Sequence, residues 1–310
     1  MIVRQNLSAL RVVSTDRAPL LYAIAVAVVV TAAHEGFDVP HLALPFAPIG
    51  TLGAAVAIFA AFRINAANAR WAEARMQWAT IQNSCRVLTR QLMAATANSV
   101  ATGVATPEGA AGYCRDMAGR LIAFAHLLGA RLRGANESVA AEPWLPDDIQ
   151  GLDDAIHPAN LVLQSVTVRV KDGVRQGMLG QFDPMMLEPA LGALSGAATT
   201  CERIKHTPTP RQYDYFTRVA VAAFSTLLPL GLLGTMPATD AWWTVPLTAV
   251  IAGVFIVLER VGAALDAPFA NNVNDVPITA ISRDIERDLL EQLGEHPLPE
   301  PVPAVAGYLW

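Results

Sequence analysis

Histidine and cysteine, the residue types that most often carry catalytic or metal chemistry, are few and scattered in this sequence. No two histidines lie four residues apart, and no CxxC, Cys–His or HExxH spacing occurs. No GxGxxG, GxxxxGK[ST] or GxSxG motif occurs either. The sequence therefore predicts no enzyme, no cofactor and no bound metal. The three cysteines are expected to be reduced, buried thiols: Cys85, Cys114 and Cys201.

The acidic residues and the overall composition point away from two further classes of function. Glu188, Glu202 and the pair Asp153–Asp154 are interpreted as solvated helix and loop charges. A net charge of −5 leaves no basic surplus for phosphate, which argues against a nucleic-acid partner. The chain is 53% hydrophobic and 16% charged, against about 25% charged in ordinary soluble domains. This balance is typical of a protein that lies in a lipid bilayer.

Four apolar runs approach the length of about 20 residues that crosses a bilayer. They cover 18–33, 43–62, 219–236 and 241–258, and the last opens with a Trp pair suited to the membrane interface. No signal-peptide cleavage site follows the first run, so it is expected to remain in the mature protein. The alternative is a soluble bundle with apolar core helices. None of the four runs carries an ionisable residue at mid-depth, which favours a passive conduit over an ion-coupled pump.

The basic residues predict the orientation of these spans. Both short connecting loops, 34–42 and 237–240, lack Lys and Arg. The positive-inside rule therefore places both termini and the central region in the cytoplasm of a multi-pass protein of the cell inner membrane. The basic residues that flank the spans on the other side include Arg4, Arg11, Arg17, Arg63, Arg70, Arg75, Arg203, Lys205, Arg211, Arg218 and Arg260.

The region between the second and third spans has helical periodicity. After the second span the apolar positions alternate by three and four residues, and the stripe comprises Ile64, Ala67, Trp71, Ala74, Trp78, Ile81, Cys85, Leu88 and Leu92. The stripe packs either within its own helical bundle or also against another subunit. "GVATPEG" (103–109) ends this helix, and further helical patterns cover 108–133, 159–180, 184–205 and 278–294.

These patterns predict an all-α membrane protein with four transmembrane helices and a cytoplasmic helical bundle. Residues 1–62 form an N-terminal segment with the first two spans, and 63–218 form the cytoplasmic helical domain. Residues 219–258 supply the last two spans, and 259–310 form a cytoplasmic tail.

One face of the second span is a candidate functional surface. Thr51, Ala54, Ile58 and Phe62 share a helical face, which ends in two bulky side chains one turn apart. Such a face can simply contact lipid. If several copies surrounded an axis, the same side chains would form apolar rings that close a pore by dewetting.

Two stretches resemble the bestrophin family, in particular its bacterial branch. "FRINAANARWAEARMQW" is similar to the first bestrophin signature, with matching positions at Arg63, Asn65, Arg70, Trp71, Glu73 and Arg75. "LDAPFANNVNDVPI" is similar to the second signature, with matching positions at Pro268, Phe269, Asn274, Asp275 and Pro277. The order of four spans with a large helical insert also resembles this family, over about residues 2–294.

The resemblance implies a homopentameric channel for monovalent ions with one axial pore. It implies a narrow neck formed by three residues of the second span, Ala54, Ile58 and Phe62, and the small Ala54 makes the outermost ring looser than in the family. It also implies a cytosolic aperture just after an Asp-Pro pair, here Met185. The alternative is that Met185 is a core residue, since methionine readily fills gaps between packed helices. The permeant ion is chloride or another anion by family, while bacterial relatives can prefer cations.

The resemblance departs from the eukaryotic members at the calcium site. Only Asp266 and Asp275 supply carboxylates near the second signature, whereas calcium favours six to eight oxygen ligands, so calcium gating is not expected. The functional rival to a channel is a non-conducting membrane anchor for a helical interaction domain. A conductance that changes on substitution of Ile58 or Phe62 separates the two.

Overall fold

The computed structural model describes residues 17–37, 40–135, 141–145, 148–149, 151–152, 155–305 and 309. The N-terminal segment with Arg4 and Arg11 and the pair Asp153–Asp154 lie outside the described residues. Within the described ranges the fold is all-helical, as predicted, with α1 (Ala18–Gly36), α2 (Phe46–Ala101), α3 (Pro107–Arg133), α4 (Pro158–Arg175), α5 (Asp183–His206), α6 (Arg211–Leu233), α7 (Thr244–Asp266) and α8 (Ile278–Gln292).

The chain folds as two compact units that divide α2 between Trp71 and Ala72. The span unit contains α1, the first part of α2, α6 and α7. The bundle unit contains the second part of α2 with α3, α4, α5 and α8. The predicted boundary at 62/63 therefore falls inside α2, and the one at 218/219 falls inside α6.

The span unit holds the four predicted apolar helices. Each of α1, α2, α6 and α7 is long and apolar enough to cross a membrane, which confirms the four spans. Helices α1, α6 and α7 pack on one another, and α2 joins them through a shared core of Ala23, Ile49, Val56, Val221, Phe224, Leu228, Leu232, Ala252 and Ile256. Half of the residues in the most apolar stretch of α6 are buried, against about a fifth of those in the corresponding stretch of α2. Much of the surface of α2 is therefore free of contacts within the described chain.

The bundle unit is built around the part of the apolar stripe of α2 that begins at Ala74, and around α3, which packs against α4 and α8. The stripe prediction is confirmed: seven of its nine members are buried, while Ile64 and Trp71 are half-buried. Helix α3 begins with Thr106, whose hydroxyl accepts a hydrogen bond from the Gly109 amide at 3.1 Å, and with Pro107 in its first turn.

The predicted end of α4 was wrong. The apolar pattern suggested a helix to residue 180, but α4 ends at Arg175. Gly177 has φ of +76°, a left-handed conformation that glycine adopts at low cost. The Met178 amide then turns back and donates to the Gly173 carbonyl at 2.8 Å, which caps the helix.

Candidate functional site

The three predicted neck residues lie on one unpacked face of α2. Ile58 is 59% exposed and Phe62 is 70% exposed, and Ala54 is exposed as well. Residues on the other side of the same turns, including Val56 and Ala60, are buried. We call the surface of Ala54, Ile58 and Phe62 the neck face. Its members are four residues apart, so successive side chains lie about 6 Å apart along the helix axis.

The residue after Phe62 points into the span unit instead. The Arg63 side chain is only 10% exposed and contacts the Asp214 carboxylate on α6. Its Nη1 donates to the Glu259 carbonyl of α7 at 3.2 Å and lies 3.6 Å from the Glu259 carboxylate. The Glu259 side chain is 12% exposed, like that of Arg63, whereas the Asp214 side chain is 44% exposed. Removal of one partner from a mostly buried ion pair, such as Arg63–Glu259, is costly. The signature arginine therefore ties α2 to two other helices.

Arg70 repeats this arrangement two turns further along α2. Its Nε donates to the Asp266 carbonyl at 2.9 Å, one of the C-terminal carbonyls of α7 that have no partner within their own helix. The Asp266 carboxylate in turn accepts a hydrogen bond from the Thr209 hydroxyl at 2.6–2.7 Å. Arg63 and Arg70 are seven residues apart, as are their acceptors Glu259 and Asp266.

Gly262 explains how α2 and α7 come close enough for these contacts. It lies between Glu259 and Asp266, and a Cβ built on it would be 3.4 Å from Ile64 Cγ1 and 3.7 Å from Arg63 Nη1. Small residues allow two helix backbones to approach in this way. The sequence offered no direct signal for Asp214, Glu259 or Gly262, because their partners are about 150 to 200 residues away in the chain.

Among the other residues of the first signature, some lie at the surface and one forms an ion pair. Asn65 and Arg75 are exposed, and Trp71 is half-buried. Glu73 accepts a hydrogen bond from Arg203 Nη2 at 2.6 Å within the bundle unit. This pair joins α2 to α5.

The second signature forms a closed loop rather than an open ligand site. Phe269 is 1% exposed and Asp275 is 2% exposed. The Val276 amide donates to the Pro268 carbonyl at 3.1 Å and closes the loop, and Lys205 Nζ donates to the Phe269 carbonyl at 3.3 Å. Asn274 is half-buried and Pro277 is buried. Pro268 and Pro277 thus bracket a turn that leads from the last span to α8.

Asp275 is a buried carboxyl in this loop. Burial raises its pKa, and the nearby backbone amides of Ala270, Asn271 and Asn272 and the charge of Arg133 only partly offset that effect. Within the described residues, no three His, Cys, Asp or Glu side chains lie close enough together to hold a metal ion.

Met185, the predicted aperture residue, lies in the first turn of α5 and is 72% exposed. The Asp183 carboxylate accepts a hydrogen bond from the Gly180 amide at 2.7 Å, which fixes the start of this helix. Two apolar neighbours are exposed as well, Phe182 at 78% and Met186 at 63%. These two residues are not among the predicted site residues, although the run "FDPMM" supplied a signal in the sequence. Cys201, by contrast, is fully buried, and burial raises its pKa to about 12.

Four apolar helices and an all-helical remainder, with an apolar face exposed on a 56-residue helix, define a helical membrane protein. The chain matches the family model described as "Bacterial/Fungal Bestrophin protein" over residues 7–291. It therefore belongs to the bestrophin family. This is a family of channel-forming proteins and not of enzymes.

Curated relatives and a solved structure agree with this assignment. The chain is 32% identical over 263 residues to "Voltage-dependent anion channel-forming protein YneE" of Escherichia coli (strain K12), which covers 84% of this chain and 81% of the relative. It is 28% identical over 291 residues to "Voltage-dependent anion channel-forming protein mll4386" of Mesorhizobium japonicum. This alignment covers 94% of this chain and 89% of the relative. A crystal structure of a bacterial bestrophin homolog from Klebsiella pneumoniae superposes with a TM-score of 0.80 at 26% identity, over 91% of this chain and 99% of that one.

Proposed function

We propose that this chain is one subunit of an oligomeric channel that conducts monovalent inorganic anions through a neck formed by Ala54, Ile58 and Phe62. The observation that carries the proposal is the neck face, where the large apolar side chains of Ile58 and Phe62 remain exposed although Val56 and Ala60 on the other side of the same turns are buried. The names of the curated relatives, anion channel-forming proteins, support the class of ion.

The neck acts as an apolar gate in this proposal. Rings of Ile58 and Phe62 from several copies narrow the pore, and a narrow apolar constriction excludes water and therefore ions. The ring of Ala54 is wider and contributes less. Met185 forms a second constriction at the cytosolic end of the pathway, where its exposed position in α5 supports a pore-lining role.

The assembly and its location complete the proposal. The homopentamer follows from the bestrophin resemblance, and the distribution of Lys and Arg supports an inner-membrane protein with both termini in the cytoplasm. No metal, cofactor or nucleic acid takes part; the partners are the bilayer and the other subunits.

The test is the reversal potential of the purified protein in planar bilayers under a potassium chloride gradient. A reversal potential near the chloride equilibrium value supports the proposal. A value near the potassium equilibrium potential overturns the anion assignment and leaves the neck in place. If the protein is folded and oligomeric yet passes no current, the membrane-anchored scaffold replaces the channel.

A further inference from the structure

Phe62 and Arg63 are neighbours in sequence with opposite surroundings. Phe62 is 70% exposed, whereas the Arg63 side chain is 10% exposed. Consecutive residues of an α-helix point about 100° apart, so this one turn carries an unpacked ring and a fixed guanidinium. The orientation of the turn is therefore set on the Arg63 side.

The contacts of Arg63 reach two other helices of the span unit. The guanidinium pairs with the Asp214 carboxylate on α6, and with both the carbonyl and the carboxylate of Glu259 on α7. A planar guanidinium with five donors can hold these acceptors in one geometry, which a lysine ammonium cannot reproduce. We call Arg63, Asp214 and Glu259 the clamp.

The Phe62 ring has free space beside it. A cavity of about 390 Å³ is lined by Phe62 together with Phe59, Tyr213, Arg63 and Asp214, among other residues. Because protein interiors usually hold side chains by close packing, a ring next to a cavity lacks that restraint. Within the described chain, the backbone turn is the main determinant of where the ring points.

We propose that Arg63 is a positioning residue of the gate: the clamp fixes the rotation of α2 at Phe62 and thereby sets how far the Phe62 ring closes the pore. This inference rests on the proposed function, since it requires Phe62 to line the neck. It adds Arg63, Asp214 and Glu259 to the residues that control the current.

The experiment combines two clamp variants, Arg63→Lys and Asp214→Asn, with the Phe62→Ala variant in a double-mutant cycle. Open probability is measured from single-channel records in planar bilayers. In the native background each clamp variant raises the open probability about threefold or more, the size expected for residues that are energetically coupled. In the Phe62→Ala background, the same variants change it by less than about 1.5-fold.

The matched control is Arg218→Gln. Arg218 lies 3.2 Å from the Asp214 carboxylate and 4.0 Å from that of Glu259, but its side chain is 69% exposed. Arg218 shares Asp214 and Glu259 with Arg63 but is not buried as Arg63 is. Its substitution therefore leaves the open probability unchanged. The thermal midpoint of each variant in detergent reports any general loss of stability.

The outcomes separate the inference from the proposed function. Equal effects of the clamp variants in both backgrounds mean a merely structural role and overturn the inference. An altered current in Phe62→Ala together with no effect of either clamp variant overturns the inference alone. If Phe62→Ala itself leaves the current unchanged, the neck is wrong and the inference falls with it.

Discussion

At the scale of single residues, Ala54 is where this neck departs from the three bulky rings that the bestrophin resemblance implies. In the proposed neck, an alanine would leave the outermost ring open, and closure would depend on Ile58 and Phe62. The exposure of all three follows from the helical spacing and could be predicted from the sequence. The clamp could not, because ion pairs between distant parts of a chain leave no local pattern.

Replacement of Ala54 by isoleucine is expected to reduce the single-channel current. The larger side chain adds a third bulky ring one turn beyond Ile58 and lengthens the dewetted section. The matched control is Ala55→Ile, since Ala55 is also exposed but lies next to α6 rather than on the neck face. Single-channel recording checks the prediction; equal currents for Ala54→Ile and the native protein would contradict it.

A second residue-scale prediction concerns Glu286, a buried carboxylate of α8. Its oxygens lie 3.1 Å from His126 Nε2 and accept hydrogen bonds from Trp144 Nε1 at 3.2 Å and Arg283 at 3.0 Å. Burial alone would raise the pKa of Glu286, but the hydrogen bond with His126 and the charge of Arg283 outweigh it, and the pKa is lowered. The ionised carboxylate therefore stabilises the bundle unit.

Glu286→Gln is expected to lower the free energy of unfolding at pH 7 by about 1.5–3 kcal/mol, the usual range for hydrogen bonds to a charged group. A lowered pKa contributes stability above the ordinary value of 4.5 that is lost as the pH falls below it. The difference in thermal midpoint between Glu286→Gln and the native protein should thus shrink below pH 4.5. Glu291→Gln on the exposed side of α8 is the control. A difference in thermal midpoint between Glu286→Gln and the native protein that does not change with pH would contradict the account.

At the scale of elements, glycines decide how closely α2 packs in the span unit. A Cβ on Gly53 would lie 2.6 Å from Cε2 of Phe224. Phe224 is buried and its ring packs against Phe255 with centroids 4.6 Å apart, so it has little room to move. The helix pair α2–α6 therefore needs glycine at position 53.

Gly53→Ala is expected to destabilise the protein by about 1–3 kcal/mol, the typical cost of overpacking. Gly253→Ala on α7 is the matched control, because its new methyl group would meet Leu20 at 3.7 Å, an ordinary contact. Thermal unfolding in detergent measures both variants. An unchanged midpoint for Gly53→Ala would show that α2 and α6 can separate without cost.

The helices themselves could largely be predicted from the sequence, but some of their ends could not. Apolar periodicity and the breaker segment near Pro107 located the end of α2 and the start of α3. The end of α4 was missed because the apolar pattern continues past Gly177, where the backbone has already turned. The start of α6 at Arg211 was missed because its first two turns are polar and aromatic rather than apolar.

At the scale of the whole molecule, the proposed neck requires several copies of the chain around one axis. From Ala74 to Leu92, the apolar stripe of α2 is buried inside the bundle unit, which favours the first of its two interpretations, packing within a single chain. Nothing in that stripe encodes a number of subunits, so the pentamer remains a prediction from family resemblance. The neck face and the exposed apolar residues around Met185 are the surfaces that such an assembly would bring together.

A cysteine at position 185 tests whether the ion pathway passes the exposed apolar residues around Met185. The native cysteines provide a silent background, because Cys85, Cys114 and Cys201 are all buried, and buried thiols react slowly. Modification of Met185→Cys with a bulky charged thiol reagent is expected to reduce the current severalfold. Cysteine at the exposed Val168 of α4 is the control; a current that survives modification of position 185 would remove Met185 from the pore.

The central claim is that the neck face lines the ion pathway, and the most direct measurement is the single-channel current of Phe62→Ala. Its control is Phe216→Ala, which removes a similarly exposed phenylalanine, 61% against 70%, from α6. We expect a larger current or a higher open probability for Phe62→Ala and native behaviour for Phe216→Ala. Native currents in Phe62→Ala, from protein that is folded and oligomeric, would contradict the account.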